Sequence, residues 1–176
     1  ALGRTLGLQQ IAVLHGGALP EFAGRHGGWV RRVLSRAAAV VAPSTYLAET
    51  LAVYPELASR LRVIPNILEI DNYPYRHRAS VRPNLLWMRT FHDVYHPEMA
   101  VEVLEDLRRT HPGATLTMAG QEKGLHAAVQ ELAKQRGLAE TVRFPVLLGT
   151  SDKLREFDAH DIYLNTNRVD NMPVSV

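Results

Sequence analysis

The sequence predicts an α/β protein made of two parallel-sheet units, and three observations carry that prediction. Short apolar runs bounded by Gly or Pro alternate with longer segments whose apolar residues recur at helical spacing. The alternation breaks once, between Asn66 and Pro83, in a stretch with no sustained period. The chain has 176 residues, 46% of them hydrophobic and 22% charged, which suits one domain or parts of two around a substantial core.

Taken in order, Ile11-Ala12-Val13-Leu14 reads as a buried strand ending at His15-Gly16-Gly17. A glycine-rich loop is expected as far as Gly28, then a helix from Trp29 to Ala38 with Val30, Val33, Leu34 and Ala37 on one face. Val40-Val41-Ala42 is a second strand, stopped by Pro43, and Ser44 is a good N-cap for a helix through Tyr46, Leu47 and Leu51. Leu61-Arg62-Val63-Ile64 is a third strand, stopped by Pro65.

The aperiodic stretch that follows holds three arginines and two tyrosines. It reads as a linker, because connections above about 12–15 residues are uncommon inside a compact domain. Beyond it Leu85-Leu86-Trp87-Met88 is a strand, and Pro97 opens a helix with Ala100, Val101, Leu104 and Leu107 on one face. Leu116–Ala119 is a strand ending at Gly120. Leu125, Val129, Leu132 and Ala133 mark a helix closed by Gly137. Val142-Arg143-Phe144 is a strand stopped by Pro145, Thr150 or Ser151 caps a short helix through Leu154 and Phe157, and Ile162-Tyr163-Leu164 is the last strand. Such a βα repeat argues for a parallel sheet with helices on both faces.

Charge narrows the function classes. Twenty basic against eighteen acidic residues leave +2, so no strong field calls for nucleic acid. No run approaches the roughly eighteen apolar residues of a membrane span. With no cysteine there is no disulfide scaffold, thiolate metal site or Cys nucleophile, and the eight histidines form no tight cluster, so no metal site is expected.

Ligands of open parallel sheets bind outside the carboxyl ends of the strands. Here those ends carry His15-Gly16-Gly17, Pro43-Ser44, Pro65-Asn66, Arg89, Gly120-Gln121, Pro145 and Asn165-Thr166-Asn167. The Arg89 guanidinium suits a phosphate, and Gly120 lacks a side chain where a ligand could approach the backbone. His15-Gly16-Gly17 is not a dinucleotide fingerprint, and no P-loop is present.

These residues, in this order, resemble glycosyltransferase family 4, retaining enzymes of the GT-B fold that use sugar nucleotides. The resemblance runs from about Gln10 onward. It is carried by Val13-Leu14-His15-Gly16, by Arg36 through Ser44 with Tyr46-Leu47-Ala48, by Val63-Ile64-Pro65-Asn66 with Asp71 and Tyr73, and by Leu86–Arg89. Asp161-Ile162-Tyr163-Leu164 through Asp170-Asn171-Met172-Pro173-Val174-Ser175-Val176 resembles the approach to the family's Glu-x7-Glu motif, with Asp170 in place of the first Glu.

The resemblance implies two Rossmann-like domains: residues 1–70 as the end of an N-terminal acceptor-side domain, 71–82 as linker, and 83–176 as a nucleotide-sugar-binding domain. It also implies a fragment, lacking the start of the first domain and the end of the second. Arg89 and Gly120 would bind the donor diphosphate; Phe144, Val146 and Leu147 would lie near the nucleobase; Asn171, Met172 and Pro173 would lie near the donor sugar. His15 and Asp170 would be catalytic. The expected reaction moves a sugar with retention from a nucleoside-diphosphate sugar to a glycan or lipid-linked acceptor, without metal or other cofactor, in the cytoplasm or peripherally at the inner face of the membrane. The family's Lys after the Arg is missing here, where the chain reads Asp93-Val94-Tyr95-His96. Two alternatives are a GT-B sugar-nucleotide epimerase and a non-catalytic sugar-nucleotide-binding protein. Arg31 and Arg32 beside Trp29-Val30 could touch anionic lipid peripherally, though a solvated helix face is the simpler reading.

Overall fold

The structure is a computed structural model that describes residues 6–145 and 148–171. It is an α/β architecture with two all-parallel sheets, as the alternation predicts. The chain divides into two compact units: one runs through Leu68 and takes in the stretch from Val169, and the other is Glu69–Arg168.

The first unit holds β1 (Ile11–Val13), α1 (Leu19–Leu34), β2 (Ala39–Ala42), α2 (Thr45–Ala52), α3 (Pro55–Ala58) and β3 (Leu61–Val63), with strand order β1-β2-β3. In the parallel register Ala12 lies beside Val40 and Val40 beside Leu61. These side chains pack with Ala23, Val30, Leu34, Leu51 and Leu57 to form the core. Their neighbours on the other face do not share it, for Ile11 is 65% and Val13 55% exposed. Among the described residues the first sheet is therefore covered on one face, not on both as the repeat alone suggested.

The other correction is α1. It runs through the glycines expected to form a loop, because Pro20 suits a first turn and Ala23, Val30 and Leu34 share one buried face. The glycines leave a mark: the helix kinks at His26, whose φ is −129° and ψ 34°.

The second unit holds β4 (Asn84–Met88), α4 (Pro97–Thr110), β5 (Thr115–Ala119), α5 (His126–Gln135), β6 (Val142–Arg143), α6 (Thr150–Ala159) and β7 (Ile162–Leu164). Its strand order is β6-β5-β4-β7, so β4 is central and flanked by β5 and β7. Leu85, Trp87, Leu116 and Met118 meet Ala100, Val101 and Leu104 of α4 and Val129 and Ala133 of α5 in one cluster. The opposite face is met by α6, where Phe157 packs 5.8 Å from Tyr163 and His160 Nε2 lies 2.9 Å from Thr117 Oγ1. Gly149, rather than Thr150 or Ser151, takes the N-cap position of α6, with no side-chain cap.

The stretch expected as a linker is fastened along the second unit. Asp161, which immediately precedes β7, has a side chain only 2% exposed. It accepts hydrogen bonds from the backbone N–H of Arg82 (2.9 Å), Arg82 Nε (2.8 Å) and Arg78 Nε (2.6 Å). The Arg82 guanidinium and amide, then Arg78, hold the carboxyl well below the usual carboxylate range. Arg78 also donates to the carbonyl of His160 at 2.8 Å. A segment without apolar periodicity is thus ordered by charge-assisted hydrogen bonds, which no pattern of hydrophobic residues could announce.

Candidate functional site

In the first unit, Leu14 N–H donates to the Val41 carbonyl at 2.9 Å, extending the pairing of β1 and β2 one residue past the strand. His15, Gly16 and Gly17 therefore leave from the carboxyl end of the sheet, and Leu19 N–H returns to the Gly16 carbonyl at 3.1 Å to start α1. His15 is exposed. A Cβ on Gly17 would stand 3.0 Å from Val169 Cγ1 and 3.2 Å from the Asp170 carbonyl carbon. The missing side chain lets residues 169–171 lie against this loop.

Ser44, at the carboxyl end of β2, uses its hydroxyl twice. Its Oγ accepts from Leu47 N–H at 3.3 Å, capping α2 as expected, and donates to Asn171 Oδ1 at 2.5 Å. Asn171 is 9% exposed, and among the described residues its Nδ2 is buried without a hydrogen-bond partner. Asp170 is exposed, and its Oδ1 accepts from Asn171 N–H at 2.7 Å. Three of the sequence-derived candidates, His15, Asp170 and Asn171, therefore gather at the carboxyl end of the first sheet. Ser44 joins them, a residue the sequence marked as a helix cap at a strand end and not as a site residue.

In the second unit, Arg89 follows β4, and its N–H pairs with the Ala119 carbonyl at 3.1 Å. Its guanidinium carbon lies 5.7 Å from the centroid of the Tyr95 ring, a cation–π arrangement that fixes the direction of the charge. Gly120 lies against the Arg89 backbone: a Cβ there would meet the Arg89 carbonyl oxygen at 1.7 Å. The glycine is demanded by strand packing whatever binds nearby. Phe91 N–H then pairs with the Gln121 carbonyl at 2.8 Å, carrying the two strands past their regular ends.

Phe144, just after β6, is half-buried, with ring centroids 6.4 Å from Phe91 and 5.5 Å from His126. Sequence reasoning missed His126, whose only signal was its place at the start of a helix following a strand-end glycine. Arg89, Gly120 and Phe144 thus share the carboxyl end of the second sheet. Val146, Leu147, Met172 and Pro173 lie outside the described residues.

Between Arg89 and α4 the chain makes a 3-10 turn over Asp93–Tyr95. It ends at His96, which adopts the left-handed conformation (φ 45°, ψ 59°). Such a backbone is costly for a residue with a side chain, and it sits immediately before Pro97. Among the described residues no group of three His, Asp or Glu side chains is gathered to hold a metal ion.

Two parallel sheets of this kind, with their polar loops at the carboxyl ends, have the GT-B fold. The comparisons with known proteins give it particular likenesses. The chain is 26% identical over 159 residues to glycogen synthase of Mycobacterium tuberculosis, a match covering 80% of this chain and 37% of that protein. Sucrose-phosphate synthase from Thermosynechococcus elongatus superposes with a TM-score of 0.78 at 14% identity, over 99% of this chain and 49% of that one. Anabaena HepE, solved in complex with UDP-glucose, superposes with a TM-score of 0.74 at 16% identity, over 94% of this chain and 48% of that one. No protein-family model matches the chain. The chain spans 37% of the length of the curated relative it matches.

Proposed function

We propose that this chain binds a nucleoside-diphosphate sugar and serves a retaining glycosyltransferase that passes the sugar to a glycan or lipid-linked acceptor. The observation that carries the reading is Arg89. A half-buried arginine is oriented by an aromatic ring at the carboxyl end of the central strand, where Gly120 lets the two strands close on each other. The likeness to glycogen synthase, and to a fold solved elsewhere with UDP-glucose bound, supports it.

In this reading the guanidinium pairs with the diphosphate and stabilises the charge that grows as the bond to the sugar breaks. His15 and Asp170 hydrogen-bond hydroxyls of the donor sugar, His15 also supporting an oxocarbenium-like transition state. Phe144 lies by the nucleobase. No metal takes part in this account. A lipid-linked acceptor is met, in this reading, at the inner face of the membrane; among the described residues no helix is long and apolar enough to cross a membrane.

A second reading, a sugar-nucleotide-binding protein without catalysis, is favoured by one feature: the stretch Thr90–His96 offers no Lys or Arg to second Arg89. Calorimetric titration with UDP, GDP, ADP and their glucose conjugates in the presence of EDTA tests the shared premise. Saturable binding of one base, weakened at least about tenfold by Arg89→Ala (1.4 kcal/mol being tenfold), is the expected result. No binding of any nucleotide contradicts both readings. Glucose release from a bound conjugate separates the transferase from the binding protein.

A further inference from the structure

Among the described residues Thr166 is one of few buried polar residues in the second unit, 8% exposed, and its hydroxyl joins the loop after β7 to β4 and to the turn that follows it. Trp87, fully buried in β4, donates its indole N–H to Thr166 Oγ1 at 2.9 Å. The hydroxyl in turn donates to the Tyr95 carbonyl at 2.6 Å. Two residues on, Arg168 N–H donates to the Val94 carbonyl at 2.9 Å. Successive carbonyls of the 3-10 turn after β4 are therefore held by successive anchors in the loop after β7. The Tyr95 ring, which also packs against the core cluster, is the surface on which the Arg89 guanidinium lies.

We propose that Thr166 is a positioning residue for Arg89, acting through the backbone and ring of Tyr95. The inference rests on the reading of Arg89 as the diphosphate ligand. A hydroxyl is required because the position must accept from one side and donate to the other. Valine has the same shape but leaves a buried indole N–H and a part-buried carbonyl without this partner. Freed from the hydroxyl, the turn no longer fixes the ring beneath the guanidinium, and the charge spreads over more orientations than a diphosphate can use.

The test compares Thr166→Val and Thr166→Ser with the wild-type chain, titrating the preferred nucleoside diphosphate and the corresponding nucleoside. Thr166→Val is expected to weaken the diphosphate about five- to tenfold, the worth of roughly one hydrogen bond. It should leave the nucleoside unchanged, and Thr166→Ser should restore affinity. The indole N–H signals give an independent reading, since Trp29 is 61% exposed and Trp87 fully buried. The Trp87 signal should move in Thr166→Val and stay in Thr166→Ser. A moved signal with unchanged diphosphate affinity, or equal losses for diphosphate and nucleoside, overturns the inference alone. A wild-type chain that binds no nucleotide overturns the Arg89 reading with it. Should Thr166→Val not fold, Tyr95→Leu keeps the Thr166 bonds while removing the ring. It must show the same selective loss of diphosphate affinity, and unchanged affinity there overturns the inference.

Discussion

The carbonyl oxygen of Arg89 occupies the space that a side chain on residue 120 would need: a Cβ on Gly120 would lie 1.7 Å from it. The strands β4 and β5 close on each other at the point where the candidate anion ligand leaves the sheet. The obstacle is backbone, which cannot swing aside as a side-chain tip would. Gly120→Ala is therefore expected to destabilise the fold by about 1–3 kcal/mol. That corresponds to roughly 2–4 °C in Tm per kcal/mol for a chain of this size. It should also displace Arg89 and weaken nucleotide binding. Thermal denaturation and titration of the same variant check both, and an unchanged Tm would contradict the packing.

Asp161 gives a prediction in pH. Its folded-state pKa is depressed by Arg82 and Arg78, so the unfolded chain binds the proton more tightly and stability rises with pH through this group. The contribution is complete above the ordinary aspartate value of about 3.9. It is lost as pH falls below that value toward the depressed one. Asp161→Asn should flatten the acid limb of the pH–stability profile. It should also speed amide exchange across residues 76–82, which the carboxylate anchors. A profile of unchanged steepness would rule the anchor out.

Ser44 and Asn171 are 127 positions apart in sequence and 2.5 Å apart in space. Ser44→Ala removes the α2 cap, worth about 1 kcal/mol, and also a partner of a buried amide. Asn171→Ala removes the same bond from the other side. The double variant should be less destabilised than the sum of the two single ones, by about 1 kcal/mol. Strict additivity in denaturant melts would show that the bond contributes nothing.

Much of the fold is legible because the strands are short apolar runs bounded by turn residues or a change to polar ones. Ile162–Leu164 and the start of α4 at Pro97 are examples where residue chemistry and local structure agree. Helix α1 was not legible in its first half, because Gly24, Gly27 and Gly28 argue for a loop until tertiary packing of Ala23 and Val30 outweighs them. The ordering of residues 76–82 was hidden for another reason: it depends on the Asp161 and Asp158 carboxylates and nearby carbonyls about 80 residues away. At the candidate site, Arg89 and His15 could be singled out because strand ends are where ligands bind. Ser44 and Thr166 stand at strand ends too, but the contacts they make, and that of Tyr95, could not be read, since they cross between loops distant in sequence.

The central claim is that a nucleoside diphosphate binds at the carboxyl end of the second sheet, and amide chemical-shift mapping tests it most directly. Titrating the 15N-labelled chain with UDP, GDP and ADP in EDTA should move the signals of Arg89, Thr90, Gly120 and Phe144 in a saturable way for one base. The same titration of Arg89→Ala should leave them nearly still. Shifts confined to residues away from that sheet end, or no saturable shift for any nucleotide, would contradict the account.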